Sequence, residues 1–331
     1  MKFNGVKNYI LFIVLLLVSN TSFATNTHNE WADAFKNNSR FTTWQGIEPD
    51  KWATLWLIKR HISLDAYFIL VPPNSNLPED AVSFGTPDSD IRRAKQTSMF
   101  HQLKTVSELE NKSLKYIDQI IFDVEVNIWD SPKHPHSIWF ETLYRKLQAR
   151  YGRDQVPVDC YLAFFDGVEQ LSLQDKITSK DYLDQLSLMS LCPGLKENKN
   201  VFIEQINHLE VLREISLGKK VVFIDTREDE EFQEVHLPGA KLLRLRDVNA
   251  EAVNEYSSAD LIVPYCVKDF RGFEVAKSIK QFGTMRVATL SPNGLKGWLK
   301  ADLPAMKENG MTDEQASIAL LRCATEPLTC L

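Results

Sequence analysis

The fold of the second half of the chain is decided by residues 261–272, LIVPYCVKDFRG. The first five are apolar and predict a buried β-strand over Leu261–Tyr265. Apolar side chains then recur three or four positions apart from Phe273 to Phe282, and Gly283 follows, which predicts a helix. The loop between strand and helix begins with Cys266, at the kind of position where α/β sheets bind ligands.

Cys266 is the strongest candidate for a reactive residue because of that position. Backbone N–H groups at a helix N-terminus attract anions and lower the pKa of a thiol placed there. Lys268 and Arg271 add positive charge nearby. We therefore expect Cys266 to be partly thiolate at neutral pH, and the two cations to attract an anionic substrate. The alternative interpretation is a buried structural cysteine.

Strands and helices alternate around this loop from residue 202 to residue 304. Val221–Ile224 and Val287–Leu290 are short apolar runs that predict two further strands. Alternation of this kind is typical of a parallel sheet with helices on both faces. We therefore expect an α/β domain over residues 202–304.

A series of short motifs in this domain resembles the rhodanese (sulfurtransferase) family. The motifs, in chain order, are Ile224–Arg227 (IDTR), Glu231-Phe232, His236–Ala240 (HLPGA), Tyr265-Cys266 followed by Arg271, Ser291–Gly294 (SPNG), Gly297-Trp298 and Leu303-Pro304. Each motif is weak alone, but together their order and spacing are specific.

The resemblance implies a double-displacement sulfur transfer. Cys266 would be the catalytic nucleophile, attacking the outer sulfur of a donor such as thiosulfate and passing it from a persulfide to a nucleophilic acceptor. The substrate-binding residues implied are those of the loop: Val267, Lys268, Asp269, Phe270 and Arg271. The loop is one residue shorter than in related phosphatases and arsenate reductases, which favours a persulfide sulfur over a tetrahedral oxyanion. No cofactor and no metal is implied.

Two residues of the loop depart from the family pattern. Asp269 and Gly272 stand where many members have glycine and serine. Aspartate tolerates the left-handed backbone conformation, so we expect the loop to form, but its charge would oppose a dianionic donor. We therefore predict weak thiosulfate activity and a persulfide or polysulfide donor. The resemblance places Asp225, Arg227 and His236 at strand and turn ends, in structural roles.

The first half of the chain predicts a second, largely helical α+β domain over residues 46–165. We expect a buried helix over Lys51–His61 with Asp50 as its N-cap, an interior strand over Ala66–Val71, and a helix over His136–Tyr151. Residues 166–201 are predicted to connect the domains, with some helix around Lys180–Leu191.

Residues 50–73 (DKWATLWLIKRHISLDAYFILVPP) resemble the opening of the chromate-resistance protein B family. The likeness continues more loosely through Ser98–Phe100 and through helices expected near 112–122 and 136–152. The family has a His-Arg-Gly stretch where this chain has Ile91–Ala94 (IRRA). That departure leaves any inherited site open.

Two sets of polar residues in this domain have ligand chemistry. A basic set is a candidate oxyanion site, although charges at helix ends are more often simply solvated; it comprises Lys59, Arg60, Arg92, Arg93 and Lys95. A second set has transition-metal donors, although histidines beside a proline are more often turn residues; it comprises Asp130, His134, His136 and Glu141. We expect no metal.

The N-terminus predicts export. Residues 1–24 carry Lys2 and Lys7, then the apolar run Tyr9–Val18, then Ser22-Phe23-Ala24, as in a signal peptide cut after Ala24. The apolar run is too short to span a membrane, so no stable membrane anchor remains after cleavage. We expect a periplasmic protein whose residues 25–45 form a mobile lead-in. The formal charge of −6 argues against a nucleic-acid partner.

Export favours disulfides among the five cysteines. We expect Cys323 to pair with Cys330 in a tail over residues 305–331 that contains a helix over Thr312–Arg322, and Cys160 to pair with Cys192. Cys266 is then the unpaired thiol.

Three functions are compatible with the sequence. The first is an exported rhodanese-like sulfurtransferase whose partners are a small sulfur-containing donor and a nucleophilic acceptor. The second is a non-catalytic protein that uses the rhodanese fold to bind an oxyanion or a partner. The third is a thiol oxidoreductase in which Cys323 or Cys330 resolves oxidised Cys266. The donor, the acceptor and the oligomeric state are not determined by the sequence.

Overall fold

A computed structural model of the chain describes residues 30–94, 96–188, 203–307 and 310–326. The predicted signal peptide, Lys95, Cys192 and Cys330 lie outside these residues, so the expectations about them stay predictions. Within the described ranges, no helix is both long enough and apolar enough to cross a bilayer.

The N-terminal domain contains a small parallel sheet. Its strands are β1 (Arg40–Trp44), β2 (Tyr67–Val71) and β3 (Val82–Ser83), in the order β2-β1-β3. The strand expected to be interior, β2, is therefore an edge strand, because β1 takes the central position. The expectation of a mobile lead-in is wrong for residues 30–44, since residues 30–37 are helical (α1) and β1 follows.

Helices make up most of the N-terminal domain, as predicted. They are α2 (Pro49–Leu57), α3 (Met99–Val106), α4 (Lys112–Ile121), α5 (Ser137–Tyr151), α6 (Val158–Ser172) and α7 (Ser179–Leu188). Helices α2 and α4 each continue into a π-helical turn, Ile58–Ile62 and Phe122–Val126 respectively. Large aromatic side chains, including Trp56, Tyr144 and Phe164, fill the space between the helices.

Asp50 does not cap its own helix. The N-cap of α2 is Glu48, and Pro49 occupies the first turn, where its missing N–H has no structural consequence. Asp50 is instead buried one residue inside α2 and accepts hydrogen bonds from the backbone N–H groups of Met99 (2.8 Å) and Phe100 (3.0 Å). It therefore satisfies the N-terminus of α3, a long-range contact that no local pattern indicates.

The C-terminal domain is an all-parallel sheet. Its strands are β4 (Glu204–Ile206), β5 (Val221–Asp225), β7 (Lys241–Leu242), β8 (Leu261–Tyr265) and β9 (Ala288–Leu290). Pairing runs β7-β5-β8, a bridge between Ile262 and Val287 joins β8 to β9, and β9 pairs with β4. A separate antiparallel pair joins β6 (Val235–His236) to β10 (Met306–Lys307). The predicted α/β class is confirmed.

Among the residues that the structure describes, six α-helices accompany this sheet. They are α8 (His208–Ser216), α9 (Asp229–Glu234), α10 (Ala250–Asn254), α11 (Phe270–Lys280), α12 (Gly294–Lys300) and α13 (Asp313–Thr325). Thr312 caps α13 through a capping box with Gln315, as its sequence predicts. Cys323 is buried on α13 and Cys160 on α6, while their predicted partners lie outside the described residues.

The two faces of the C-terminal sheet pack against different neighbours. Because side chains alternate along a strand, Phe223 and Val263 belong to one core, shared with α8, α12 and α13. Ile224 and Ile262 belong to another, which includes α11 and continues into the N-terminal domain. The two domains therefore share one continuous apolar core, and α11 lies within it.

Candidate active site between the two domains

The loop after β8 places Cys266 with its thiol free and almost fully buried. The backbone N–H groups of Arg271 and Gly272, at the start of α11, hydrogen-bond to it. Helix α12 holds the loop through two hydrogen bonds of 2.9 Å. The Leu295 N–H donates to the Cys266 carbonyl, and the Lys296 N–H donates to the Val267 carbonyl. The sequence-predicted strand-loop-helix geometry is confirmed.

The structure does not favour the expected thiolate. Burial raises the pKa of the Cys266 thiol above its ordinary value, and the charge of Arg271 and the two N–H groups only partly offset this. The sequence indicates the positive charge that stabilises a thiolate. The burial of the thiol depends on the N-terminal domain, which packs over the loop. Burial therefore favours the neutral thiol form of Cys266.

Arg271 stands beside Cys266, as predicted, but its charge is already matched. Its guanidinium forms two hydrogen bonds to the Glu231 carboxylate, at 3.1 and 3.2 Å. Although burial alone would raise it, the pKa of Glu231 is lowered to about 2 by Arg271. Glu231 is therefore ionised at every physiological pH and stays paired with Arg271.

Asp269 faces the N-terminal domain and not the cleft at Cys266, contrary to expectation. Its fully buried carboxylate accepts hydrogen bonds from Arg145 (2.8 and 2.9 Å) and from the Ser291 hydroxyl (3.0 Å), and Arg153 lies 2.9 Å away. Although burial alone would raise it, Arg153 and Arg145 hold the pKa of Asp269 below its usual range. Its φ is −156°, so the anticipated left-handed conformation is also wrong. Asp269 is an ion-pair partner for the N-terminal domain.

Lys268 is likewise engaged by the N-terminal domain. Its Nζ donates to Oε2 of Glu141 at 2.6 Å, and Glu141 also accepts from Arg145. In helix α12, the Nζ of Lys296 donates to the Ile128 carbonyl at 2.7 Å. The lysine that was expected to attract substrate is therefore largely neutralised by a carboxylate from α5.

A small cleft opens at Cys266, and both domains line it. The C-terminal domain contributes Cys266, Val267, Lys268, Phe270 and Arg271, so four of the five predicted loop positions line it and Asp269 does not. The N-terminal domain contributes Glu48, Arg93, Val124, Glu125 and Ile128. Sequence reasoning missed Glu48 and Glu125, because each lies in an unremarkable helix-end segment and only the packing of the domains brings it to the cleft.

The carboxylates on the N-terminal side of the cleft differ in protonation. Burial raises the pKa of Glu125 to about 7, against the lowering by Arg93, whose Nη1 donates to Oε2 of Glu125 at 3.0 Å. Burial also raises the pKa of nearby Asp50 to about 6. For Glu48, burial is outweighed by Lys51 and Arg93, which hold its pKa below the usual range.

The predicted basic oxyanion set is not assembled. Lys59 donates to the carbonyls of Leu64 and Ala66, Arg60 forms an ion pair with Asp166, and Arg92 donates to the Pro87 carbonyl. Among the described members of the set, Arg93 alone lines the cleft. Each of the others is used by a local structural contact, which is why these charges do not converge.

The candidate metal donors form an aromatic and hydrogen-bonded cluster. The rings of His134 and His136 are 5.0 Å apart, and Tyr116 Oη is 2.9 Å from Nδ1 of His136. Burial lowers the pKa of both histidines, and His136 lowers that of His134 further. Glu141 points instead to Lys268 and Arg145. Across the described ranges, no group of three or more His, Cys, Asp or Glu side chains has the arrangement of a metal site.

The remaining motif residues have structural contacts. Asp225 and Arg227 form a buried ion pair at 2.7 Å, and Arg227 also donates to the carbonyl of Val235 at the start of β6. His236 stacks on Phe232 and its Nδ1 lies 2.8 Å from the Phe232 carbonyl. Gly272 packs against Tyr265, where an added Cβ would lie 3.0 Å from the Tyr265 Cα. A serine at position 272 would crowd this contact.

Comparison with protein families accounts for both halves of the chain. Residues 41–171 match the model described as "ChrB, C-terminal domain", and residues 208–301 match the model described as "Rhodanese-like domain". The chain therefore carries a ChrB C-terminal domain followed by a rhodanese-like domain. Both resemblances predicted from the sequence are confirmed, in the predicted order. No curated protein matched the chain.

Two solved structures are similar to parts of this ChrB–rhodanese chain. The BH2092 protein from Bacillus halodurans is 19% identical, with 35% of this chain and 90% of that chain covered and a TM-score of 0.29. A thiosulfate sulfurtransferase from Pseudomonas aeruginosa is 12% identical, with 89% of this chain and 66% of that chain covered and a TM-score of 0.28.

Proposed function

We propose that this protein is a sulfurtransferase that carries sulfane sulfur as a persulfide on Cys266. One observation carries the proposal: in a rhodanese-like domain, the free thiol of Cys266 receives the N–H groups of Arg271 and Gly272. Those donors stabilise negative charge on a sulfur atom bound there. A purely structural cysteine has no need of such donors.

The reaction proceeds in two displacements. In the first, the Cys266 sulfur attacks the outer sulfur of the donor, a new S–S bond forms, and the bond to the donor's leaving group breaks with its electron pair. In the second, a nucleophilic acceptor attacks the outer sulfur of the Cys266 persulfide and the cysteine leaves with the electron pair. Arg271 offsets the negative charge of donor and leaving group.

A persulfide remains a better donor than dianionic thiosulfate, but for a different reason from the one expected. Asp269 is sequestered between Arg145 and Arg153, so it does not repel a donor. Glu48 and Glu125 bring negative charge to the cleft and Arg93 offsets part of it, while Lys268 and Arg271 are each matched by a carboxylate. A donor of low negative charge therefore fits this cleft better.

The test is direct loading of the purified protein. Residues 25–331 are incubated with glutathione persulfide or with thiosulfate, and intact-mass spectrometry records the addition of one sulfur atom. We expect loading on Cys266 that is abolished in Cys266→Ser. Failure of the wild type to load with either donor would overturn the proposed function.

A non-catalytic binding role is the second candidate, favoured by the raised pKa of the Cys266 thiol and by the pairing of Arg271 with Glu231. In that role the cleft binds an anion or a partner without covalent chemistry. Isothermal titration with sulfate and chromate separates the two candidates. Equal binding by wild type and Cys266→Ser, together with no persulfide, would support the binding role.

We also propose that the protein acts in the periplasm after removal of residues 1–24. The basic residues, apolar run and Ser22-Phe23-Ala24 site support this. Expression of the full chain in a Gram-negative host should give a periplasmic protein whose N-terminus is Thr25. Retention of Met1 in the cytoplasmic fraction would contradict export.

A further inference from the structure

Glu125 is a buried carboxylate on the wall of the cleft. It lies in the π-helical turn Phe122–Val126 that follows α4, a type of distortion often found at functional sites. Its side chain is 4% exposed. Arg93 binds both its Oε2 and its main-chain carbonyl, whereas its Oε1 is buried without a hydrogen-bond partner. An unsatisfied buried oxygen of this kind is rare and calls for a ligand.

The charged groups around Glu125 come from both domains. They are Glu48 and Asp50 at the start of α2, Arg93 before α3, and Lys268, Arg271 and the Cys266 thiol in the loop after β8. Burial, Asp50 and Glu48 raise the pKa of Glu125, and Arg93 and Lys268 lower it, which gives a value of about 7. A group with that pKa both accepts and donates a proton near neutral pH.

The other carboxylates near Cys266 are less suited to exchange its proton. Glu231 is held ionised by Arg271, with a pKa of about 2. Asp269 is held by Arg145, Arg153 and Ser291 and does not line the cleft. Glu48 lies 3.6 Å from the Nζ of Lys51, and its pKa is lowered. Glu48 and Glu125 each have a buried oxygen without a hydrogen-bond partner on the cleft wall, but that oxygen of Glu48 forms an ion pair with Lys51, whereas Arg93 binds the other oxygen of Glu125 and leaves Oε1 unpaired.

We propose that Glu125, supplied by the ChrB C-terminal domain, is the general base and general acid of the Cys266 site, and that the donor is a low-molecular-weight hydropersulfide. The proposal deepens the proposed function and rests on it. It also gives the first domain a chemical role: that domain buries the thiol and provides the group that ionises it.

The proton and electron balance closes without a further reactant. Glu125 as carboxylate accepts the proton of the Cys266 thiol. The thiolate attacks the outer sulfur of a donor R–S–SH, the Cys266 S–S bond forms, and the donor S–S bond breaks with its electron pair on R–S⁻. Protonated Glu125 then gives its proton to R–S⁻. The net change is Cys–SH + R–S–SH to Cys–S–SH + R–SH, with Glu125 restored.

The donor class follows from the leaving group. An alkyl thiolate is a strong base and leaves more readily when it is protonated, so a general acid accelerates its departure. Sulfite, the leaving group of thiosulfate, is a weaker base and benefits less. The carboxylates of Glu48 and Glu125 also disfavour the double charge of thiosulfate. The general acid and the charge of the cleft therefore select the same kind of donor.

The first experiment measures the reactivity of Cys266 without any sulfur donor. The rate of alkylation by iodoacetamide, which does not titrate, is followed from pH 5.5 to 9.5 by peptide mass spectrometry on the Cys266 peptide. In the wild type we expect the rate to rise through pH about 7, as Glu125 becomes a carboxylate. In Glu125→Gln the rise should move to the higher pKa of the thiol itself, with roughly a tenfold or greater loss of rate at pH 7.5.

The sign of this change separates catalysis from simple electrostatics. If Glu125 only repelled the thiolate, Glu125→Gln would lower the pKa of Cys266 and speed alkylation at pH 7.5. A faster or unchanged rate would therefore overturn the proposal. Glu125→Asp, which keeps a carboxylate, should recover part of the rate. Glu204→Gln, which removes a carboxylate paired with Arg286 on a surface remote from the cleft, should leave the profile unchanged.

The second experiment compares donors in a single turnover. Glu125→Gln should slow the loading of Cys266 by glutathione persulfide about tenfold or more, and slow loading by thiosulfate distinctly less. Equal slowing of both donors would contradict the donor assignment. If the wild type loads and Glu125→Gln loads equally fast, this inference alone fails. If the wild type never loads, the proposed function fails, and the alkylation profile still reports on Glu125.

Discussion

At the scale of single residues, buried ionisable groups set the chemistry of this protein. The thiol of Cys266 and the carboxyls of Asp50, Glu125 and Glu274 all have raised pKa values, and for each of them burial is the largest cause. Burial disfavours the charged form of these groups in the folded state. The free energy of unfolding therefore depends on pH.

Glu274 offers the clearest test of that linkage. Burial and nearby Glu48 raise its pKa to about 8, and its Oε1 has no hydrogen-bond partner. Because the folded pKa exceeds the unfolded value, the folded state binds the extra proton, and stability is lost as pH rises from about 4.5 to about 8. Glu274→Gln should therefore stabilise the protein by about 3 kcal/mol more at pH 8 than at pH 5.5. Urea unfolding at both pH values measures this, and an equal effect at both would contradict it.

Gly294 is a residue whose missing side chain shapes the Cys266 loop. Its φ is +43°, and an added Cβ would lie 1.8 Å from the Lys268 carbonyl oxygen and 2.3 Å from that of Cys266. Gly294→Ala should therefore displace the loop and cost more than about 3 kcal/mol of unfolding free energy.

Gly218→Ala is the matched control for Gly294→Ala. Its φ is +74° but nothing lies within 4 Å of the added Cβ, so only the backbone strain remains, about 1 kcal/mol. Denaturant unfolding of the two variants compares the cost of backbone strain alone with the cost of strain plus the clash with the loop carbonyls. Equal losses would show that the close approach to the loop carbonyls has no consequence.

At the scale of elements, helix ends are satisfied by residues distant in sequence. Ser98 caps α3 locally, accepting from the His101 N–H at 3.0 Å, while Asp50 accepts from the two preceding N–H groups. Helix α11 begins beside the Cys266 loop. Two N–H groups of its first turn, which have no partner within the helix, are directed at the thiol. Helix N-termini thus serve both packing and chemistry in this chain.

The two caps of α3 predict different losses. Ser98→Ala removes one partly buried hydrogen bond and should cost about 1 kcal/mol. Asp50→Ala leaves two buried N–H groups without acceptors and should cost about 3 kcal/mol or more. Urea unfolding near pH 7.5, where Asp50 with its pKa of about 6 is ionised, measures both. A smaller loss for Asp50→Ala than for Ser98→Ala would contradict its role as a cap.

At the scale of the whole molecule, the ChrB C-terminal domain and the rhodanese-like domain are joined by a shared core and by ion pairs. Phe270 of α11 lies against Tyr144, with ring centroids 6.3 Å apart, and Arg145 lies over the Phe270 ring. Asp269 pairs with Arg145 and Arg153, and Lys268 with Glu141. We therefore expect the described domains to unfold as one cooperative unit.

Asp269→Asn tests that coupling. The change leaves the partly buried Arg145 and Arg153 without their common carboxylate, so it should cost about 3–5 kcal/mol and loosen the domain contact. Calorimetry should show one transition for the wild type and a lower, broader or divided transition for the variant. Asp80→Asn is the control, since its exposed pair with Arg40 contributes little, under about 1 kcal/mol. A variant Asp269→Asn as stable as the control would overturn the coupling.

Local sequence patterns determined the class of each domain, because burial and backbone geometry repeat with the period of a strand or a helix. The strand at Leu261–Tyr265, the loop with Cys266 after it and the helix at Ser137–Tyr151 follow from those periods. Tertiary structure alone decided which charges meet. It turned Asp269 away from the cleft toward Arg145, and used Asp50 to cap α3. It also brought Glu125 to the cleft of Cys266, because electrostatic partners are chosen by the packing of distant elements, on which a local pattern carries no information.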